Sequence, residues 1–308
     1  MSASNMTPAA PVAASAGSTP AAGGLLAPAD LTPGRRTWRA FSRNPLGMVS
    51  LAIILGLAAI AIAAPWLAKF PSGYGRDILM PPSAAHPFGT DDLGRDVLAQ
   101  VLWGTRISMI IAFAASFLAI LIGVALGVLA AYAKRLDGIV STLVDVSLAL
   151  PVLPLMILVA ALIGPSVTTL VVVIALFSWP EVTRIVRSQA LSVTRLPYVD
   201  AARTIGGSHF WIMTRHILPA VAPIIVVSVV LTASRAVLSE AGLSFLGLGD
   251  PESWSWGKIL YNAQRSGALT IAWWCTLFPS IAILLLVVSA TLVSIAYNDA
   301  RNPKTREN

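Results

Sequence analysis

Long runs without a charged side chain are the feature that most constrains this chain. Residues 44–68 and 107–133 contain 25 and 27 residues with no Asp, Glu, Lys or Arg among them. About 20 apolar residues are enough to cross the hydrocarbon core of a membrane as a helix. Only 11% of the 308 residues are charged, against roughly 25% in a soluble domain. The composition therefore excludes an ordinary soluble fold, and the continuous apolar runs argue against a transmembrane β-barrel, whose strands alternate.

The remaining charges fall in short blocks that predict how the chain crosses the membrane. Fourteen Lys and Arg residues lie on the side that carries both termini and five on the other, with Arg106 and Arg235 at or within spans. Because basic residues favour the cytoplasmic side, we expect both termini to be cytoplasmic. The chain is predicted to be an all-α membrane protein with six transmembrane helices, at about residues 44–68, 107–133, 138–163, 167–189, 217–240 and 269–297. The orientation of the chain in the membrane thus accounts for its net charge of +7. We therefore expect the chain to contact membrane lipid and not nucleic acid.

Four regions are expected along the chain. Residues 1–34, rich in Ala, Pro, Ser, Gly and Thr, lack the basic start and apolar core of a secretory signal. They are predicted to form a disordered cytoplasmic tail. Residues 35–103 hold the first transmembrane helix and an external amphipathic segment, residues 104–298 the main transmembrane domain, and residues 299–308 a second cytoplasmic tail.

The external segment is predicted to contain a short helix lying against the outer membrane face. Thr90 has the type and position of a helix N-cap, and Asp91 and Asp92 would occupy the first turn. Apolar residues follow from Leu93 at helical spacing. Four tryptophans are predicted to be interfacial anchors, with contact to an external protein as the alternative: Trp254, Trp256, Trp273 and Trp274.

One polar stretch, Asp200 to Trp211, interrupts the apolar runs. Residues 197–206 are predicted to form a short helix that Gly206 and Gly207 end by taking positive φ, after which Ser208 caps a second helix. One side of the first helix collects small or apolar residues that would permit close approach of another surface: Ala201, Ala202, Ile205 and Gly206. The residues alone support a plain cytoplasmic loop about equally well.

Four charged residues fall within or near predicted spans, where charge is costly and usually faces protein or water. Asp145 and Glu181 are placed toward inner ends and could pair with Arg184 or Arg187. Charge within spans often marks a path through the membrane, and three residues are candidates for such a translocation path or its gate: Glu240, Arg235 and Asp145. For Glu240 the alternative is a structural hydrogen bond. For Arg235 the alternatives are a pair with Glu240, an outward-snorkelling side chain, or a site for a substrate carboxylate.

The polar stretch resembles a known motif. YVDAARTIGGSHFWIMTRHILP is similar to the EAA motif of ABC importer permeases, with Asp200 in place of the usual Glu and His216 where an apolar residue is usual. Three further blocks resemble the C-type permease of dipeptide/oligopeptide importers: HPFGTDDLGRDVLAQVLWGTRIS, LSEAGLSFLGLG followed by SWG, and NDARNP. The resemblance covers about residues 35–303.

This resemblance implies a type I ABC importer permease fold in the bacterial inner membrane. A coupling helix near residues 198–207 would dock on an ATPase subunit through Tyr198, Asp200, Ala201, Ala202, Arg203, Ile205 and Gly206. An external peptide-binding protein would contact Asp91, Asp92, Arg95 and Trp254. The implied partners are a homologous second permease, two ATPase subunits and that binding protein.

The chain has no G-x-x-x-x-G-K-[ST] phosphate loop. We therefore expect a non-catalytic subunit that binds no cofactor or metal, with ATP and magnesium bound by the partner ATPases. Peptide uptake is the favoured function. The alternatives are the same machinery importing nickel, glutathione or another small solute, an ion-coupled secondary transporter, and, least favoured, a structural scaffold.

Overall fold

Helices account for nearly all of the chain that the structure, a computed structural model, describes. It describes residues 33–301, with side chains from Thr37 onwards. The helices are α1 (Pro33–Ser42), α2 (Pro45–Leu67), α3 (Val97–Tyr132), α4 (Lys134–Ala149), α5 (Val152–Ile163), α6 (Val167–Thr194), α7 (Pro197–Thr204), α8 (His209–Ile212), α9 (Leu218–Leu243), α10 (Trp256–Arg265), α11 (Ala268–Ile271) and α12 (Trp273–Arg301). The predicted tails lie outside the described residues, except for residues 33–34, which begin α1, and 299–301, which end α12.

Five of the six predicted spans are continuous helices long and apolar enough to cross a membrane. They are α2, α3, α6, α12 and the continuous helix His209–Leu248, which contains α9. The third predicted span is instead two helices, α4 and α5, bent by 87°. The bend lies at Leu150 and Pro151, where proline lacks the N–H that would continue the helix. The all-helical membrane fold is confirmed, and the third span is broken.

The centre of the bundle is α3, which packs closely along α6. Gly123 and Gly127 of α3 face α6, and a Cβ added at Gly123 would lie 2.6 Å from Val182 Cβ. Two glycines four residues apart form the small-xxx-small pattern that lets membrane helices approach. Since apolar side chains gain little by leaving lipid for one another, this close van der Waals contact is a main source of helix association.

The two ends of α3 define the two ends of the bundle. At 36 residues and 1.5 Å per residue, α3 is about 54 Å long. Its first turns meet residues 68–96 and 249–272, which we name the loop end. Its last residue, Tyr132, meets the segment after α6 through Arg203 and His209, which we name the elbow end.

At the loop end, Asp91 is the centre of a hydrogen-bond network and α3 begins later than predicted. The Asp91 carboxylate accepts bonds from the Leu93 and Arg95 backbone N–H groups, from Arg95 Nε at 2.7 Å and from Gln100 Nε2 at 2.7 Å. The N-cap of α3 is Asp96, whose side chain accepts from the Ala99 N–H. The predicted cap at Thr90 and the separate amphipathic helix are therefore wrong.

Tertiary contacts explain why Thr90 is not a helix cap. Its hydroxyl accepts a hydrogen bond from the Met80 N–H and donates one to the Asp77 carbonyl. Its own carbonyl accepts from Trp274 Nε1 at 3.0 Å. Thr90 thus joins three separate segments, and the residues after it form a turn instead of a helix.

The loop-end tryptophans differ from the predicted interfacial anchors. Trp254, Trp256 and Trp274 are buried, and only Trp273 of the four is exposed. The Trp256 ring lies against Gly104 of α3, and its Nε1 donates to the Val101 carbonyl at 3.3 Å. Three of the four rings therefore hold the loop end against α3, α10 and α12.

Replacing Gly123 with Leu tests the contact between α3 and α6. The new side chain would overlap Val182, and overpacking of this kind costs about 1–3 kcal/mol. We expect a lower midpoint of thermal unfolding in detergent for Gly123→Leu. Gly56→Leu is the matched control, because nothing lies within 4 Å of a Cβ added to that exposed helical glycine. Equal midpoints for both variants would contradict the packing role.

Replacing Asp91 with Asn tests the loop-end network. Hydrogen bonds to a charged group contribute about 1.5–3 kcal/mol, so Asp91→Asn is expected to lower the unfolding midpoint in detergent. Asp92→Asn is the matched control. Burial, followed by repulsion from Asp91, raises the pKa of the Asp92 carboxyl, so neutralising it removes an unfavourable charge. A loss of stability in Asp92→Asn as large as that in Asp91→Asn would contradict this assignment.

Candidate functional site

The segment after α6 folds as two short helices joined at a sharp turn, and we name residues 196–212 the elbow. Pro197 begins α7 with its fixed φ and no N–H to satisfy. Gly206 ends it with φ of 84°, a value that favours glycine. Ser208 then caps α8 by accepting a hydrogen bond from the Trp211 N–H. The predicted helix, glycine stop and Ser208 cap are confirmed, although Gly207 does not take positive φ.

Most of the predicted coupling residues lie on the outside of the elbow. Ile205 is 80% exposed, and the others are exposed as well: Tyr198, Asp200, Ala201, Arg203 and Gly206. Ala202 differs, because it is only 4% exposed and packs inward. The small residues of this helix therefore do not share one surface. Ala201 and Gly206 face outward, and Ala202 packs against the rest of the chain.

The inward side of the elbow is attached to three membrane helices. Val199, Ala202 and Ile212 join one buried apolar cluster with residues from the elbow-end halves of α3 and α6 and the start of α9. This cluster makes the elbow continuous with the spans. A displacement of the elbow would therefore move the ends of those helices.

Tyr132 provides a polar connection between the elbow and α3 that the sequence did not indicate. Its hydroxyl lies 2.8 Å from His209 Nδ1, and the Arg203 guanidinium lies 5.1 Å from its ring centroid. Arg203 also pairs with Asp200 at 2.9 Å. The two charged residues of the predicted coupling helix are thus paired with each other.

His216, which departs from the motif, is placed as an apolar residue would be. Its ring lies against Trp211 at 4.7 Å and near Tyr198 at 6.0 Å between centroids. Its Nε2 is buried and has no hydrogen-bond partner among the described residues. The imidazole therefore fills the space of an apolar side chain beneath the elbow.

Two exposed aromatic side chains extend the elbow surface beyond the predicted residues. Phe210 is 74% exposed, and Trp211 is partly exposed beside it. Together with Ile205 they give the elbow apolar contact area. The sequence signal was present, since three large apolar residues stand within an otherwise polar stretch.

Glu240 is a structural residue in this conformation. It is fully buried and accepts hydrogen bonds from Ser108 at 3.1 Å and Ser244 at 2.7 Å. Ser108 also accepts from the Trp256 N–H at 3.3 Å. Glu240 thereby connects α3, α9 and α10, which fits the structural hydrogen bond expected as its alternative role.

Arg235 pairs with Glu181 of α6, so the predicted pair with Glu240 is wrong. Glu181 is the fifteenth of the 28 residues of α6, which places it in the middle of the helix and not toward its inner end. Asp145 forms an exposed ion pair with Arg184, and Arg187 pairs with Asp137 at 2.6 Å. The expected pairing of Asp145 is confirmed.

A polar cavity opens at the loop end beside the residues predicted to contact a binding protein. It has a volume of about 570 Å³, and its lining includes Asp92, Arg95, Glu252, Trp254, Lys258 and Arg265. Asp91, by contrast, is buried in its network. Lys258 and Arg265 were not predicted to belong to this site, because they lie more than 160 positions from Asp92 in the sequence.

Two cationic side chains lie close to the Trp254 ring in this cavity. The Arg95 guanidinium lies 4.7 Å and the Lys258 ammonium 5.4 Å from the Trp254 ring centroid. Lys258 also donates to the carbonyls of Asp250 at 3.0 Å and Ser253 at 2.8 Å. Burial lowers the pKa of the Lys258 ammonium, and the neighbouring Asp250 opposes that effect. The cavity thus presents fixed positive and negative groups to the exterior of the bundle.

Comparison with known proteins places the chain in a family. Residues 119–307 match the family described as "Binding-protein-dependent transport system inner membrane component". Residues 32–82 match the "N-terminal TM domain of oligopeptide transport permease C". The first match covers the α3–α6 contact, the elbow and Glu240, and the second covers α2.

Individual relatives are similar over most of their length. The dipeptide transport system permease protein DppC of Bacillus subtilis is 36% identical over 275 residues, 87% of this chain and 85% of that protein. The glutathione transport system permease protein GsiD of Pectobacterium atrosepticum is 36% identical over 281 residues, 89% and 92% of the two chains. The di/tripeptide transport system permease protein DppC of Pseudomonas aeruginosa is 33% identical over 285 residues, 89% and 93%. The chain therefore belongs to the family of binding-protein-dependent transport system inner membrane components and is a multi-pass protein of the bacterial inner membrane.

Proposed function

We propose that this chain is one of two homologous permease subunits that form the membrane path of an ATP-driven importer of short peptides. The observation that carries the proposal is the elbow, an exposed surface at one end of the bundle whose inner side is packed into α3, α6 and α9. Such a surface suits the transfer of motion from a partner to the spans. Relatives named as dipeptide and di/tripeptide permeases support the substrate class.

Partner subunits supply the energy in this proposal. No G-x-x-x-x-G-K-[ST] motif occurs in the 308 residues, so two ATPase subunits would bind ATP and magnesium and dock at the elbow. This chain would contribute no catalytic residue and bind no cofactor. The basic-residue bias favours a cytoplasmic position for the elbow and both termini, which would leave the loop-end cavity to an external binding protein.

Transport would proceed by alternating access. Closure of the ATPase pair would displace both permeases' elbows, and through Val199, Ala202 and Ile212 the ends of three spans. Packed helices have discrete arrangements and do not deform continuously. The two permeases would therefore switch between a path open to the cytoplasm and one open to the exterior.

Glutathione is a second candidate substrate, favoured by the relatives named as glutathione permeases. Nickel and other small solutes remain alternatives on the same machinery. An ion-coupled transporter would import without ATPase subunits. The ion pair of Glu181 and Arg235, within two spans, is compatible with such a transporter. Membership in a binding-protein-dependent family favours the ATP-driven importer.

Uptake by proteoliposomes tests the function. The chain is reconstituted with its second permease, ATPases and binding protein, and labelled dialanine and glutathione are offered separately. We expect uptake of dialanine that requires ATP. Uptake that persists without the ATPase subunits, or ATP-dependent uptake of glutathione alone, would overturn the proposal of an ATP-driven peptide importer.

Replacing Ile205 with Asp tests docking at the elbow. Ile205 is 80% exposed, so its replacement leaves the fold intact and puts a charge on the contact surface. We expect co-purification of the ATPase to fall about tenfold, the equivalent of about 1.4 kcal/mol. Ile205→Leu is the control and should retain the ATPase. Full ATPase recovery with Ile205→Asp would place docking elsewhere.

Two replacements of Gly206 test the shape of the elbow. Nothing lies within 4 Å of an added Cβ, but φ is 84°, a value that a β-branched residue rarely adopts and Asn tolerates. Gly206→Val should therefore lower uptake per ATP hydrolysed severalfold, and Gly206→Asn much less. If Gly206→Asn were as defective as Gly206→Val, side-chain bulk and not backbone conformation would be responsible.

A further inference from the structure

One ion pair joins two helices that are long and apolar enough to span a membrane, and it is half exposed. The Arg235 guanidinium of α9 contacts the Glu181 carboxylate of α6, and the two side chains are 46% and 45% exposed. Glu181 lies halfway along α6. The other ion pairs with a partner on α6 lie nearer the elbow end, at Arg184 and Arg187.

The surface around this pair is suited to water and not to lipid. At ~100° per residue, the exposed residues of α6 within about 60° of Glu181 are polar: Arg184, Ser188 and Ser192. The apolar Phe177 and Ile185, within the same arc, are partly buried. We name the three exposed polar residues with Glu181 the α6 polar face. A lipid-facing helix has the opposite character, as on α2, where the large exposed side chains include Leu46, Val49, Leu55 and Ile62.

The α6 polar face leads from the elbow end to the ion pair. Ser192 is in the last turn of α6, and Glu181 is eleven residues earlier, or about 16 Å along the helix. Charged residues inside a membrane face protein or a water-filled cavity because lipid cannot solvate them. The face is therefore expected to be turned toward protein or water, and it leads to a positive and a negative group side by side.

We propose that Glu181 and Arg235 form a subsite for the two charged termini of a peptide in transit. Arg235 binds the peptide carboxylate, for which its planar guanidinium offers parallel donors, and Glu181 binds the α-ammonium group. This subsite rests on the proposed peptide-importer function and deepens it by naming groups within the path.

Charge balance is the physical reason for such an exchange. A charged side chain within a membrane span is costly unless it faces water or has a partner of opposite charge. A zwitterion that inserts between Glu181 and Arg235 leaves every charge paired, whereas a peptide with a blocked terminus leaves one side chain without a partner. The termini of an extended dipeptide lie about 7 Å apart. The two side chains, now in direct contact, must therefore move apart by about 4 Å or more before one dipeptide can pair with both.

The experiment uses the complete transporter in proteoliposomes, with labelled dialanine on its binding protein. Three variants are compared with the wild type: Glu181→Gln, Arg235→Gln and the double variant with both changes. Each variant is expected to take up dialanine at least about tenfold more slowly. ATP hydrolysis stimulated by the loaded binding protein should stay within about twofold, because the ATPase contacts are at the elbow. Arg135→Gln is the matched control, an exposed arginine at the start of α4 and outside the α6 polar face, and should stay within about twofold in both measurements.

The double variant separates a substrate role from a structural one. Gln at both positions keeps a hydrogen-bonded contact but removes both charges, so a purely structural pair would tolerate it. Uptake by the double variant within about twofold of the wild type would overturn the subsite. Failure of the variants to assemble with the second permease would also overturn it and assign the pair to the permease interface. A wild-type complex without ATP-dependent uptake would instead refute the peptide-importer function itself.

Discussion

The close approach of α3 to α6 is the contact on which the rest of the structure depends. Gly123 and Gly127 remove the side chains that would hold the two helices apart, and in a membrane such contact must replace much of the hydrophobic driving force. Once α3 is fixed against α6, its first turns receive Trp256 at Gly104 and its last residue, Tyr132, reaches the elbow. One helix thus positions both ends of the bundle.

The charged groups discussed above differ in burial and in their hydrogen-bond partners. Glu240 is buried and surrounded by hydroxyl donors, so it connects helices. Asp91 does the same for the loop before α3. Glu181 and Arg235 are paired but half exposed, which leaves them open to a ligand. In the proposed function, the first two keep the helices together and the last two meet the substrate.

The elbow has an exposed outer side, suited to contact with a partner, and an inner side that is packed into the bundle. Its outer side presents Ile205 and Phe210 to solvent, while Val199 and Ile212 are fully buried beneath. Tyr132 adds a polar connection through His209 and Arg203. Because the base is shared with α3, α6 and α9, a force on the elbow acts on three spans at once, as the proposed coupling to ATP hydrolysis requires.

The sequence by itself determined the all-helical membrane class, five continuous spans, the elbow with its Gly206 stop and Ser208 cap, and the family resemblance. These follow from local rules: apolar length, capping chemistry and glycine conformation act within a few residues. Only the tertiary structure decided which contacts are made between distant residues. Thr90 is a sound cap by local rules, yet contacts with Met80 and Trp274 recruit it elsewhere. Arg235 lies five residues from Glu240, about 140° away around the helix, so the two side chains point to different sides of α9, and Arg235 pairs with Glu181 of α6. Ala202 likewise turns inward because packing, and not helical periodicity, decides which side of α7 meets the bundle.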